Sequence, residues 1–223
     1  MTRDIAIDGP SGSGKTSVGL HVSKRLGLMF IDSGLLYRAF TAGYVEKFPD
    51  DQCLRDDHLS TILESSVAYE SGGIVRFGGK MLTLSLHDLR VDLLVSPISA
   101  VPRVRTCVNR ELRRIAAVHD VVMVGRDIGT TVLPEALLKV FITADAQVRA
   151  RRRVAQLQRQ GVTADFAAVL VNIHERDAID SSREDSPLRC TDEYVIVDNS
   201  ADGSEGVVQR IVSEYGRRLS HAV

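Results

Sequence analysis

A short apolar run, Ile5-Ala6-Ile7, leads almost at once into Gly9-Pro10-Ser11-Gly12-Ser13-Gly14-Lys15-Thr16. Two glycines four residues apart, then lysine and a hydroxyl residue, form the phosphate-loop pattern. Glycine reaches backbone angles closed to other residues, so such a loop can wrap with several N–H groups pointing inward. Lys15 can reach the β- and γ-phosphates, and the Thr16 hydroxyl can ligate the magnesium that travels with them. Val18, Leu20, Val22 and Leu26 then predict a helix, whose positive N-terminus faces the same anion. Strand, glycine loop and helix in that order constrain the chain to an α/β fold with a polyphosphate site over Gly9 to Ser17.

The rest of the chain extends that rhythm. Apolar runs at Ile5–Ile7, Met29–Ile31, Val121–Val124, Lys139–Ile142 and Tyr194–Val197 alternate with helical patterns, as in a parallel sheet with crossover helices. A last helix is predicted from Ser204-Glu205, with Val207, Val208, Ile211, Val212, Tyr215 and Leu219 inward. Two stretches break the pattern. Between Ser65 and Leu86, Val67, Tyr69, Ile74, Val75 and Phe77 lie among Gly72-Gly73 and Gly78-Gly79, which predicts a small antiparallel insert. From Ala146 to Arg183, two helical segments flank Gly161 and arginine dominates. No repeat or interdomain linker interrupts the chain, so residues 1–223 are expected to form one domain.

Bulk properties narrow the partners. A formal charge of −1 excludes the broad basic surface of a general nucleic-acid binder. Within the basic set, 23 arginines stand against 5 lysines, and arginine grips phosphate bidentately. Cys53, Cys107 and Cys190 are widely spaced, with no CxxC pair, so neither a disulfide framework nor a zinc site is expected and a reducing cytoplasm fits. No secretory h-region or apolar run of membrane-spanning length is present, so no membrane association is expected.

Three clusters discriminate among phosphate-loop proteins. Asp32-Ser33-Gly34, with Arg38 beyond, follows the second strand, where open α/β sheets bind ligands, although Asp32 or Ser33 could equally be a helix N-cap. Gly125-Arg126-Asp127-Ile128-Gly129-Thr130 follows the third; Arg126 and Asp127 suit a phosphate and a hydrogen-bond donor, or else pair within a tight turn. Arg176, Asp180 and Arg183 fall at i, i+4 and i+7, on one helical face, either as a surface ladder or as an arm closing over phosphates. The guanine-reading Asn-Lys-x-Asp motif is absent, which disfavours a GTPase.

With these motifs assembled, the sequence closely resembles the bacterial cytidylate kinases of the nucleoside monophosphate kinase group. The resemblance is carried by IDGPSGSGKTS, IDSGLLYRA, VPRVR, GRDIGTTVLPEA, RRRVAQLQRQG and ERDAIDSSR, from Ile5 to about Asp198. It implies a three-layer P-loop kinase fold with a five-stranded parallel core sheet. It also implies a nucleotide-monophosphate insert over about 62–96 and an arginine-rich helical lid over about 146–183. The expected reaction is ATP- and Mg2+-dependent phosphorylation of CMP and dCMP, by a monomer. By motif, Gly9, Pro10, Ser11, Gly12, Ser13, Gly14, Lys15, Thr16 and Ser17 would bind ATP, with Thr16 at the metal. Ser33 and Arg38 would contact the acceptor phosphate, Ser96 the base, and Arg105 the acceptor. Arg126 and Asp127 would meet phosphate and base, Arg176 and Asp180 the ribose region, and Arg183 the transferring group. Lys15, Arg126 and Arg183 are the expected catalytic residues. Thr131, Leu133 and Glu135 stand where the family pattern has Val, Phe and Asp. A kinase for UMP or for a shikimate-like acceptor, or an inactive nucleotide-binding module, are the competing readings.

Overall fold

A computed structural model describes residues 2–51, 53–70, 73–82, 84–159, 161–201 and 204–221. Gly72 of the predicted insert and Gln160 of the RRRVAQLQRQG motif lie outside them. The chain divides into two compact units, Met1–Phe30 with Asp120–Val223, and Ile31–His119.

The first unit holds a five-stranded sheet except for Ile31 and Asp32, the end of one edge strand, which fall in the second unit. The strands of the sheet are β1 (Ile5–Asp8), β2 (Met29–Asp32), β6 (Val121–Val124), β7 (Leu138–Thr143) and β8 (Tyr194–Asp198), and the order across it is β2-β6-β1-β7-β8. The pairs β1–β6, β1–β7 and β7–β8 are all parallel. All five strands match the apolar runs of the sequence. Ile5 and Ile7 point to one face, where they join Val122, Val124, Val140 and Ile142. Helices α1 (Lys15–Leu26) and α8 (Glu205–His221) cover that face through Val18, Val22, Val208, Ile211 and Tyr215. Leu20, one of the residues that predict this helix, faces outward. Between β1 and β7 the order of connection reverses, and open α/β sheets bind ligands at the carboxyl ends of such strands.

Helices α6 (Ala146–Arg159) and α7 (Phe166–Ser182) pack together after β7. Gly161, between them, has φ 78°.

The second unit contains α2 (Ser33–Lys47), α3 (Asp56–Leu63), α4 (Leu89–Ala100) and α5 (Pro102–Ala116). With them is an antiparallel sheet of β3 (Val67–Glu70), β4 (Ile74–Phe77) and β5 (Lys80–Met81). Gly78 and Gly79, at φ 57° and 75°, make the two-residue turn between β4 and β5, as the twist of a hairpin demands. The Phe77 ring packs edge-on against Phe40 of α2, centroids 5.7 Å apart. Pro102 opens α5, where its missing N–H costs no hydrogen bond. The sheet lies inside the predicted insert, while the compact unit around it is wider.

Candidate active site

The glycine loop leaves β1 with Gly9 at φ 148°. A Cβ at Gly9 would collide with the Ile142 carbonyl oxygen of β7, so both backbone angle and space require glycine. Lys15 opens α1, and the first turn of that helix carries no acidic residue. Its ammonium curls over the loop, 2.7 Å from the Pro10 carbonyl oxygen and 3.4 Å from Ser13 Oγ. From β8 onward, the Asn199 side-chain amide donates to the Ser13 carbonyl at 2.8 Å.

Two residues given no site role by the motifs grip the same loop. The Asp177 carboxylate of α7 accepts the Ser11 N–H at 3.2 Å. Its other oxygen lies 2.6 Å from Arg149 of α6. Arg149 also donates to the Ser11 carbonyl at 2.9 Å and to the Ala144 carbonyl at 3.0 Å. The arginine bias was visible in the sequence, but it did not distinguish Arg149 from its neighbours.

Beside the loop strand, Arg126 reaches beyond its neighbour Asp127 to helix α7. Its Nε donates to Asp180 Oδ2 at 2.7 Å, joining positions 54 apart. Arg183 approaches Asp180 Oδ1 at 3.5 Å and donates to the Ser186 carbonyl at 3.0 Å. Burial pushes the Asp180 carboxyl upward, but the charges of Arg126 and Arg183, the Arg126 hydrogen bond and the charge of Arg176 outweigh it. The net result is a group held below the ordinary carboxylate range. The one-face spacing needs a correction: α7 ends at Ser182, and Arg183 continues at φ −57° and ψ 138°. Leaving the helix brings Arg183 back onto Asp180 from beyond the last turn. Arg126, Arg176, Asp180 and Arg183 therefore form one charge cluster, not a solvated ladder.

Asp127 is 4% exposed and lies three residues beyond β6, at φ −143° and ψ 27°. A π-helical turn, Ile128–Val132, follows it. π-Turns of this kind recur at functional sites.

In the second unit Asp32 caps α2, its carboxylate accepting the Gly34 N–H at 2.9 Å. The N-cap alternative for that residue is thus the observed one. Ser33, the first residue of the helix, is buried. Arg38 is held by Asp92 at 2.7 Å and by the Leu86 carbonyl at 2.8 Å. Ser96 is buried on α4. Arg105, 1% exposed, donates to the Ser99 carbonyl at 3.2 Å and lies over the Tyr37 ring at 5.6 Å. Tyr37 in turn donates to Asn109 at 3.4 Å. Asp92, Tyr37 and Asn109 had no signal in the sequence beyond their type.

No group of three or more His, Cys, Asp or Glu among the described residues could hold a metal. Magnesium arriving with phosphates needs no such cage, since it keeps most of its waters and takes few protein ligands. A hydroxyl such as that of Thr16, exposed at the start of α1 beside the glycine loop, fits that requirement.

A phosphate loop with its lysine at the head of α1, on a parallel sheet whose centre is β1, defines a P-loop kinase fold. Four arginines and two acids around the same strand ends give it the charge pattern of a phosphoryl-transfer site. The chain belongs to the cytidylate kinase family, whose model matches residues 5–217. It is 35% identical over 219 residues to the cytidylate kinase of Carboxydothermus hydrogenoformans, covering 96% of this chain and 97% of the relative. It is 39% identical over 213 residues to that of Rhodococcus opacus, covering 93% and 92%. A solved structure of an uncharacterized protein from Eubacterium ventriosum matches in fold alone, with TM-score 0.50, 14% identity and coverage of 96% and 97%.

Proposed function

We propose that this chain transfers the γ-phosphoryl group of ATP to CMP and dCMP, giving CDP and dCDP. The observation that carries this reading is the match to cytidylate kinases along nearly the whole chain. The geometry supports it. An acceptor phosphate oxygen attacks the γ-phosphorus, the bond to the β,γ-bridging oxygen breaks, and ADP leaves. The attacking oxygen is already anionic, so no general base is required.

Catalysis here is positioning plus electrostatics. Lys15 swings from the Pro10 carbonyl to the β- and γ-phosphates. Arg126 and Arg183, with Asp180 orienting them, neutralise charge on the transferring group. Gly9 to Ser17 cradle the donor, and Thr16 would hold the magnesium that accompanies it, which would supply positive charge at the phosphates. Ser33, Arg38, Ser96 and Arg105 are assigned to the acceptor, with Arg176 at the ribose. Asp127 accepts the exocyclic amine of cytosine, a donor that uracil lacks. A buried acceptor left without a partner by the wrong base penalises that base.

A coupled assay of ADP release with CMP, dCMP, UMP, AMP and shikimate tests the proposal. Turnover is expected with the two cytidine nucleotides ahead of all others. No release above background with either one overturns it.

A further inference from the structure

Asp8 is the last residue of β1, and side-chain alternation turns it away from Ile5 and Ile7 and their core. It is fully buried. One oxygen accepts the Ile128 N–H at 2.9 Å; the other accepts the Gly129 N–H at 2.8 Å and the Tyr194 hydroxyl at 2.7 Å. Burial, with a smaller push from the Asp127 charge, holds this carboxyl above its ordinary range against those three donors, so keeping it ionised carries a cost. An apolar residue would satisfy the strand without that cost, but it would leave two backbone N–H groups and a hydroxyl unpaired.

The two N–H groups belong to the residues immediately after Asp127. The Asp127 carbonyl begins the hydrogen bonding of the π-helical turn, accepting the Val132 N–H and the Thr130 hydroxyl, each at 3.4 Å. On the carbonyl side Thr131 N–H holds the Asp127 oxygen at 2.9 Å. On the amide side the Asp8 carboxylate accepts both the Ile128 and the Gly129 N–H. Tyr194 completes the clamp. Its ring stands edge-on to Phe141 at 6.0 Å and 89°, and a Cβ on Gly129 would come within 2.5 Å of its hydroxyl. Gly129 therefore lies directly against the Tyr194 hydroxyl.

We infer that Asp8 and Tyr194 are positioning residues that fix the direction of Asp127 and thereby set the base selectivity of the acceptor site. The inference rests on the CMP kinase reading. Tyr194 opens β8, outside the quoted motifs, and reaches the site through Asp8 and the turn.

Steady-state kinetics with CMP and UMP on the full chain, Tyr194→Phe and Asp8→Asn provide the test. Tyr194→Phe keeps the ring against Phe141 and removes one hydrogen bond. It is expected to raise the KM for CMP about five-fold, the fold-change of one net hydrogen bond. The CMP-to-UMP ratio of kcat/KM falls in step, while kcat and the KM for ATP stay within about two-fold. In Asp8→Asn the amide NH2 faces a donor, so a larger loss of the same kind is expected if the protein folds. A Tyr194→Phe enzyme with unchanged CMP-to-UMP preference overturns the inference, even if its Tm falls. So does an equal rise in the KM for ATP, which would mark a general distortion of the loop. An unmodified chain inactive on CMP overturns both this inference and the functional reading.

Discussion

At the scale of single residues, the informative group is Asp180. Its carboxylate lies between Arg126 and Arg183, and their charges hold it below its ordinary range in spite of burial. A carboxylate whose folded value is depressed adds stability that is present above the unfolded value of about 3.9. That contribution is lost as pH falls through the lower folded value. Asp180→Asn is expected to cost roughly 2–3 kcal/mol at pH 7, because it leaves arginine charge uncompensated. Urea unfolding at pH 7 and at pH 3 checks this. The gap between the two proteins narrows in acid; a gap independent of pH would mean that Asp180 contributes shape and not charge.

Among the elements, α7 matters most to the donor loop, because Asp177 joins it to the Ser11 N–H and to buried Arg149. Asp177→Asn keeps the shape but frees the positive charge of Arg149 beside the loop. It is expected to lower the Tm by a few degrees, since one buried charge loses its partner, on the order of 1 kcal/mol in a chain of this size. At the same time the Kd for ATP tightens, measurable by calorimetry. A weaker Kd would show that Asp177 shapes the loop for the anion and does not compete with it. These links mark the limit of sequence reading. The five core strands were legible because each is a short apolar run bounded by turn residues, and α8 because its apolar stripe has helical period. The Arg126–Asp180 pair was not legible, since nothing local connects a strand end to a helix 54 positions away. Nor was the exit of Arg183 from α7, because Ser181 and Ser182 end the helix without a glycine or proline to announce it. Asp8 was read only as part of a motif. A lone acid closing an apolar strand gives no hint of which amides it will serve.

For the molecule as a whole, each unit has its own buried apolar residues, and the sheet has a definite centre. Ile5, Ala6, Ile7 and Asp8 are all 0% exposed, with β6 on one side of β1 and β7 on the other. Native-state hydrogen exchange is expected to find the β1 amides opening only with global unfolding. Amides of the edge strand β8, and of the two-residue β5, exchange through smaller openings. Sub-global exchange of β1 faster than β8 would contradict that order. The glycine loop hangs from this most protected strand, with Gly9 wedged under the Ile142 carbonyl. On the proposed function, the loop assigned to the triphosphate is thereby tied to the strand expected to open last. On warming, a partly opened population keeps its grip on the donor, and a fluorescent ATP analogue would remain bound after selectivity for the acceptor base had been lost.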